Sequence, residues 1–410
     1  MAIVRPFRAH RPPPALAPRV ASPPYDVINT KEARALAEGN PHSFLHVSRP
    51  EIDLPQGTDE HANEVYAQGQ TNLQRLVNNG TLLQDPSPRF YVYAQKMPAF
   101  ADRGPHAQVG LVACTAVSDY VADTIKKHEK TRADKEDDRT RHIDVLGAHD
   151  EPVFLTYRAV AAIDAVVADA TKEVPVYDFA TADGVGHTFW TVDASLCARI
   201  EQLFANVPAL YVADGHHRSA AAARVHALRG QGAGEHGVFL AVLFPHDQMQ
   251  ILAYNRLVRD TNGRSPEALL EALRARFDVS EASTAAPEAP KSFGAYLAGH
   301  WYRLGVKPGT YQESDPVARL DASLCQDQIL APLFGITDPR RDTNVDFVGG
   351  IRGAKELERR VADEGWSLAL HLYPTGIEDL MAVSDAGLLM PPKSTWFEPK
   401  LRSGLFLHAF

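Results

Sequence analysis

Apolar and polar positions along this chain follow two periods in turn, so the chain is read as mixed α/β. Short apolar runs predict strands at 90–94, 110–117, 151–157, 186–192, 210–214, 238–244 and 250–258. Three-to-four-residue spacing predicts helices at 30–38, 58–79, 159–170, 194–204 and 219–229. In 58–79 the apolar stripe is Val65, Leu73, Leu76 and Val77, and Gly80 follows the last turn. The first thirty residues break the pattern. Prolines in Arg11-Pro-Pro-Pro-Ala-Leu-Ala-Pro and Ser22-Pro-Pro-Tyr-Asp-Val predict extended chain lying over a domain surface. The link at 98–105, with Pro98, Gly104 and Pro105, and the stretch 230–234 read as loops.

Composition shifts near 259–266. Beyond it the pattern predicts a helix at 266–277, a polar Pro/Ala-rich loop at 280–292, strands at 300–306 and 317–320, and a helix at 321–334 with Asp321 as N-cap. Strand and helix then alternate: 345–348, 355–363, 368–373, 377–386 and 404–408. The expected division is a first region at 1–258 and a second α/β lobe at 259–410. No repeat at fixed spacing is present.

With 410 residues, 45% of them hydrophobic and 23% charged, the composition is that of a soluble globular protein. A net charge of −9 argues against nonspecific nucleic-acid or acidic-membrane binding as the main role. Cys114, Cys197 and Cys325 are odd in number and far apart, which disfavours a disulfide framework and a cysteine metal site. The N-terminus lacks the apolar region of a signal peptide, and no apolar stretch approaches 18 residues. A cytoplasmic protein without a membrane span is expected.

The strongest chemical signal is Leu210-Tyr-Val-Ala-Asp-Gly-His-His-Arg-Ser219, read as strand, tight turn and helix start. The unpaired N–H groups and positive dipole end of a first helical turn suit a phosphate. Asp214, Gly215, His216, His217, Arg218 and Ser219 are therefore candidate phosphate or nucleotide contacts. The plainer alternative is a helix start whose histidines satisfy backbone groups. A second signal is Ile125-Lys-Lys-His-Glu-Lys-Thr131, continuing to Lys135 and Asp138-Arg139. Glu129 beside His128 can act as a general base or hold a metal, and the cations can clamp phosphates. A solvated charged segment is the alternative. Arg132 stands where a zinc-protease helix needs its second histidine. A third signal is the proline-restrained loop with Lys393, Ser394, Thr395, Lys400 and Arg402, either a cap for an anionic ligand or an amphipathic surface loop. It lacks the glycine pattern of a Walker A loop. A zinc site from His128, His216 and His217 is chemically admissible, though no compact spacing supports it.

The chain resembles the family catalogued as domain of unknown function 1015 over nearly its full length. The resemblance rests on Ser22-Pro-Pro-Tyr-Asp-Val-Ile, Asn40-Pro-His-Ser-Phe-Leu-His-Val with Arg49-Pro-Glu, and His128-Glu-Lys-Thr with Asp138-Arg139. It rests also on Ala213-Asp-Gly-His-His-Arg, Asp346-Phe-Val-Gly-Gly and Met390-Pro-Pro-Lys-Ser-Thr-Trp-Phe-Glu-Pro-Lys with Ser403-Gly404. The Asp-Gly-His-His-Arg turn is similar to the phosphate-binding turn of the ParB/sulfiredoxin-like superfamily, which includes a kinase of free serine. That likeness implies a ParB/sulfiredoxin-like nucleotide-binding core in a mixed α+β chain, with Gly215, His216, His217 and Arg218 on the phosphates and Glu129 as catalytic base. His216 and His217 stand where the sulfinic-acid reductase of that superfamily has a cysteine, which counts against its reaction. No helix-turn-helix of a DNA-partition protein is identified.

The expected activity is nucleotide-dependent phosphotransfer to a small hydroxylated metabolite, serine being the leading candidate. ATP or ADP with Mg²⁺ would bind at 214–219. Glu129, with His128 and His216, would serve catalysis. Thr131, Lys135, Arg139, Lys393, Ser394, Thr395, Lys400 and Arg402 would form the substrate or second anion site. The same parts would also serve a phosphatase or a nucleotide-gated binding protein.

Overall fold

The computed structural model describes residues 1–99, 104–232 and 234–410. The middle of the 98–105 link and Ala233 of the 230–234 stretch lie outside the described residues. The chain forms two compact units, Met1–Met249 with Pro399–Phe410, and Gln250–Glu398. The division expected at 258/259 thus lies after Met249, and the last twelve residues return to the first unit.

Among the described residues, the first unit holds a nine-stranded mixed sheet. Its strands are β1 (Val4–Arg5), β2 (Tyr91–Met97), β3 (His106–Ala116), β4 (Ile125–Lys126), β5 (Val153–Tyr157), β6 (Tyr177–Ala180), β7 (Gly186–Thr191), β8 (Leu210–Asp214) and β9 (Val238–Pro245). The order is β4-β8-β5-β9-β3-β2-β7-β6, with β1 on β3. The centre is made of β5 and β9, whose residues are buried throughout. A strand covered on both faces needs a continuous apolar run, and Val-Phe-Leu-Ala-Val-Leu-Phe in β9 supplies one. Phe239, Leu243, Leu155 and Val212 join one apolar core, each full burial contributing about 1.5–3 kcal/mol.

Two helices of this unit bear on the site. One, α1 (Ala133–Leu146), ends at Gly147, whose φ of 63° gives a left-handed cap. Its inner face carries Asp138, Arg139 and His142 as well as Ile143 and Leu146, so ion pairs replace apolar packing there. The other, α2 (His216–Leu228), buries a face of Ala220, Ala221, Ala222 and Val225. Small side chains let it lie close to its neighbours.

The second unit holds a six-stranded sheet of β10 (Tyr254–Val258), β11 (Phe277–Glu281), β12 (Ser292–Leu297), β13 (His300–Val306), β14 (Val345–Gly349) and β15 (Leu368–Leu372), in the order β11-β13-β12-β15-β10-β14. Several expectations shift. The strand expected at 250–258 is two, Gln250–Leu252 and Tyr254–Val258, parted at Ala253, whose carbonyl accepts from Gly350 N at 2.7 Å. Residues 317–320 turn instead of extending, because the Asp315 carboxylate accepts from the backbone N–H of Val317 and Ala318. The helix expected from 219 begins at His216, and at 404–408 only His408 enters a strand. No helix among the described residues is long and apolar enough to cross a membrane.

Candidate functional site

The site is assembled at the ends of β4 and β8. These strands are parallel, with Leu210 opposite Ile125 and Tyr211 opposite Lys126. Parallel strands release their chains at the same edge. The loop leaving β4 at Lys127-His128-Glu129 therefore emerges beside the turn leaving β8 at Asp214-Gly215. Such carboxyl ends of strands are the usual ligand-binding edge of α/β sheets. A bulge between Val212 and Asp214 interrupts the pairing with β5 just before the turn.

Gly215 has φ 96°, a conformation that favours glycine, and turns the chain into α2. No side chain caps this helix start. Its first N–H groups remain available to an outside acceptor, as an anion site requires. The ring of His216 meets that of His128 edge-on, centroids 4.4 Å apart. One ligand atom from each of His128, Glu129 and His216 lies within 4.8 Å of the others. Both ring nitrogens of His128 and Nε2 of His216 are buried without a hydrogen-bond partner. The Val212 carbonyl lies beside His128 but short of hydrogen-bond geometry. Burial, reinforced by the neighbouring His216, pushes His128 down to about 3, and burial lowers His216 to about 4. Both rings are therefore neutral at pH 7 and present lone pairs.

The remaining expected residues divide. His217 is bound through Nε2, which accepts from Arg132 N at 3.1 Å, so its ring is engaged outside the His128–Glu129–His216 cluster. Arg218 is 6% exposed, and its guanidinium faces inward. It donates to the Pro152 carbonyl and lies 3.7 Å from Asp214 and 4.0 Å from Asp26. These contacts brace the turn, while Nε of Arg218 is buried without a hydrogen-bond partner. The Ser219 hydroxyl donates to the Gly215 carbonyl at 3.1 Å. Lys400 reaches Asp214 at 3.2 Å. Burial alone would raise the Asp214 carboxyl, but Lys400 and Arg218 outweigh it and hold the group well below its ordinary range. Arg402 instead pairs with Asp183 and donates to Thr181 at 3.2 Å. Thr131 donates to Glu136, while Lys135 stands near enough to His217 to disfavour its charged form. Arg139 is buried, 2.8 Å from Asp138, with its guanidinium 4.0 Å over the Tyr25 ring. Lys393, Ser394 and Thr395 belong to the second unit. There Lys393 lies 5.4 Å over the Tyr254 ring, and Ser394 Oγ donates to the Pro391 carbonyl.

Glu151 was not singled out from the sequence. Its Oε1 accepts from Tyr25 N at 3.0 Å and Ser403 Oγ at 2.8 Å, while Oε2 is buried without a partner. Burial drives its carboxyl up to about 7; Arg218 opposes the shift, and Asp150 and Asp26 add to it. A glutamate opening an apolar strand, Glu151-Pro-Val-Phe-Leu, was the available signal. The folded protein binds this proton more tightly than the unfolded chain. The stability it confers is complete below the ordinary value of 4.5 and is lost as pH rises through about 7. Glu151→Gln is expected to match the wild type at pH 4.5 and to be more stable by about 1–3 kcal/mol at pH 8. Urea unfolding at both pH values measures this.

The sequence model of the family described as "Protein of unknown function (DUF1015)" matches residues 4–323. The chain belongs to this family. Among solved structures, a free serine kinase in complex with AMP is similar at 13% identity, with 69% of this DUF1015 chain and 89% of that chain covered and a TM-score of 0.36. A conserved hypothetical protein from Pyrococcus furiosus is 13% identical, covering 69% of this chain and 93% of that one with a TM-score of 0.34. SbnI from Staphylococcus aureus, with a C-terminal truncation, is 11% identical, covering 71% and 85% with a TM-score of 0.38. No curated protein matches the chain.

Proposed function

We propose that this DUF1015 protein is a nucleotide-dependent phosphotransferase acting on a small hydroxylated metabolite, with free serine the leading candidate. The observation that carries the reading is the Glu129 carboxylate within 4.8 Å of a ring nitrogen of His216, the first residue of the uncapped helix α2. A phosphate on the first N–H groups of α2 would lie next to a base able to take the acceptor's proton. Phosphoryl transfer needs mostly this positioning, together with charge neutralisation. Lys400, anchored on Asp214, supplies a cation at the same turn. Mg²⁺ would arrive on the nucleotide phosphates and offset their charge.

A thermal-shift panel of ATP, ADP, AMP and phosphorylated metabolites, with and without Mg²⁺, tests the binding half of this reading. A nucleotide at 100 times its Kd is expected to stabilise the protein by about 2.7 kcal/mol. Absence of a shift with every nucleotide overturns the proposal. A shift with phosphomonoesters alone, accompanied by their hydrolysis, would replace it with a phosphatase.

A further inference from the structure

The trio His128, His216 and His217, chemically admissible as a zinc set from sequence, is not the one the fold brings together. His217 is engaged by the Arg132 N–H, and Glu129 takes its place. The result is two imidazoles and one carboxylate converging from two chain segments that parallel pairing holds side by side. Three of the four imidazole nitrogens in this cluster are buried with no hydrogen-bond partner. His128 is 2% exposed and has neither nitrogen satisfied. Unsatisfied buried polar groups are costly, so a cluster of them in one place calls for a ligand.

We propose that His128, Glu129 and His216 hold a first-row divalent metal ion of the zinc type, with at least one coordination position left open toward the helix start at Gly215. Two nitrogen donors out of three disfavour Mg²⁺, which takes oxygen ligands, and suit zinc and its neighbours. Three protein ligands with an open position are the pattern of a catalytic metal; structural zinc sites are closed by four. Neighbouring ligands around tetrahedral zinc stand about 3.3 Å apart, given bonds of about 2.0–2.1 Å. The present limit of 4.8 Å is wider, so the three side chains must draw inward on the metal.

This inference deepens the proposed phosphotransferase and rests on it for the role of the open position. An acceptor hydroxyl bound there loses its proton more readily. Glu129 ligating through one carboxylate oxygen keeps the other for that proton. The presence of the metal itself does not depend on the reaction.

The test is a titration of chelator-treated, nucleotide-free full-length protein with Co²⁺, followed by visible absorption and metal analysis. One equivalent of Co²⁺ is expected, with d–d bands that Zn²⁺ displaces and excess Mg²⁺ does not. Removing a ligand costs at least as much as removing an outer partner, about 10–100-fold in affinity. His128→Ala, His216→Ala and Glu129→Gln should each show that loss, while His217→Ala keeps wild-type affinity. Glu129 is partly exposed on a loop, so its variant reports even where a histidine variant fails to fold. Wild-type protein that takes up no stoichiometric Co²⁺ or Zn²⁺ overturns the site, as does unchanged affinity in Glu129→Gln. Nucleotide stabilisation with Mg²⁺ but no Co²⁺ uptake would leave the phosphotransferase standing without this metal. Co²⁺ uptake without any nucleotide effect would leave the metal and remove the phosphotransferase.

Discussion

Glu129→Gln is expected to lower turnover by about 10²–10⁴-fold while nucleotide affinity stays within a few-fold. The substitution keeps the size and the hydrogen-bonding outline of the side chain but removes its basicity and its charge. Glu129 lies on the loop that leaves β4, whereas the phosphate contacts proposed here are backbone N–H groups of α2. The two can therefore be separated experimentally. Steady-state nucleotide consumption with a panel of hydroxylated acceptors measures turnover, and isothermal titration with nucleotide measures binding. Full turnover in the variant would remove Glu129 from the chemistry. Loss of binding together with turnover would place Glu129 on the nucleotide.

Gly215→Ala is expected to lose about 2–4 kcal/mol of stability and at least a tenfold share of nucleotide affinity. A left-handed backbone costs a residue with a Cβ about 1–2 kcal/mol, and Gly215 sits at φ 96°. The added Cβ would also lie 3.2 Å from Cζ and Nε of Arg218. That guanidinium is buried against Pro152, Asp214 and Asp26, so moving it disturbs a buried ionic contact, whose disruption costs about 3–5 kcal/mol when complete. Partial relaxation sets the expected total between these terms. Urea unfolding gives the stability, and the same titration with nucleotide gives the affinity. A variant as stable as the wild type would show that the turn tolerates an ordinary backbone there.

Much of the fold was legible in local pattern. The β8 strand and the turn after it read correctly because Leu210-Tyr-Val-Ala is apolar and Asp214-Gly215 breaks it. The helices expected at 30–38 and 159–170 were legible for similar reasons and form at Thr30–Ala37 and Ala161–Ala170, the first closed by an Asn29–Glu32 capping box. The β4 strand was not. It has two residues, too few to show any period, and its partner β8 lies more than eighty residues away. Yet that pairing is what carries His128 and Glu129 to His216.

The charged stretch at 126–142 shows the same limit from the other side. Its composition suits a solvated helix as well as a functional one. In the fold, Asp138 takes hydrogen bonds from Arg139 and from Tyr66 at 2.8 Å each, and His142 meets Asp150 at 3.0 Å. A buried face built of paired charges has no apolar stripe, so hydrophobic periodicity cannot reveal it. The partners of Arg218 were equally hidden: Pro152 and Asp26, which its guanidinium meets, lie far from it in the chain.

The sequence by itself determined the mixed α/β class, the family, the strand–turn–helix at 210–219 and the residue types able to handle phosphate. These depend on neighbours within a few positions, where backbone preference and side-chain period act directly. Only the tertiary structure decided which of those residues meet. It joined His128 and Glu129 to His216, set His217 and Arg402 on other partners, turned Arg218 inward and raised Glu151 into the neutral range. Each outcome follows from burial and from contacts between segments far apart in the chain, which local pattern does not encode.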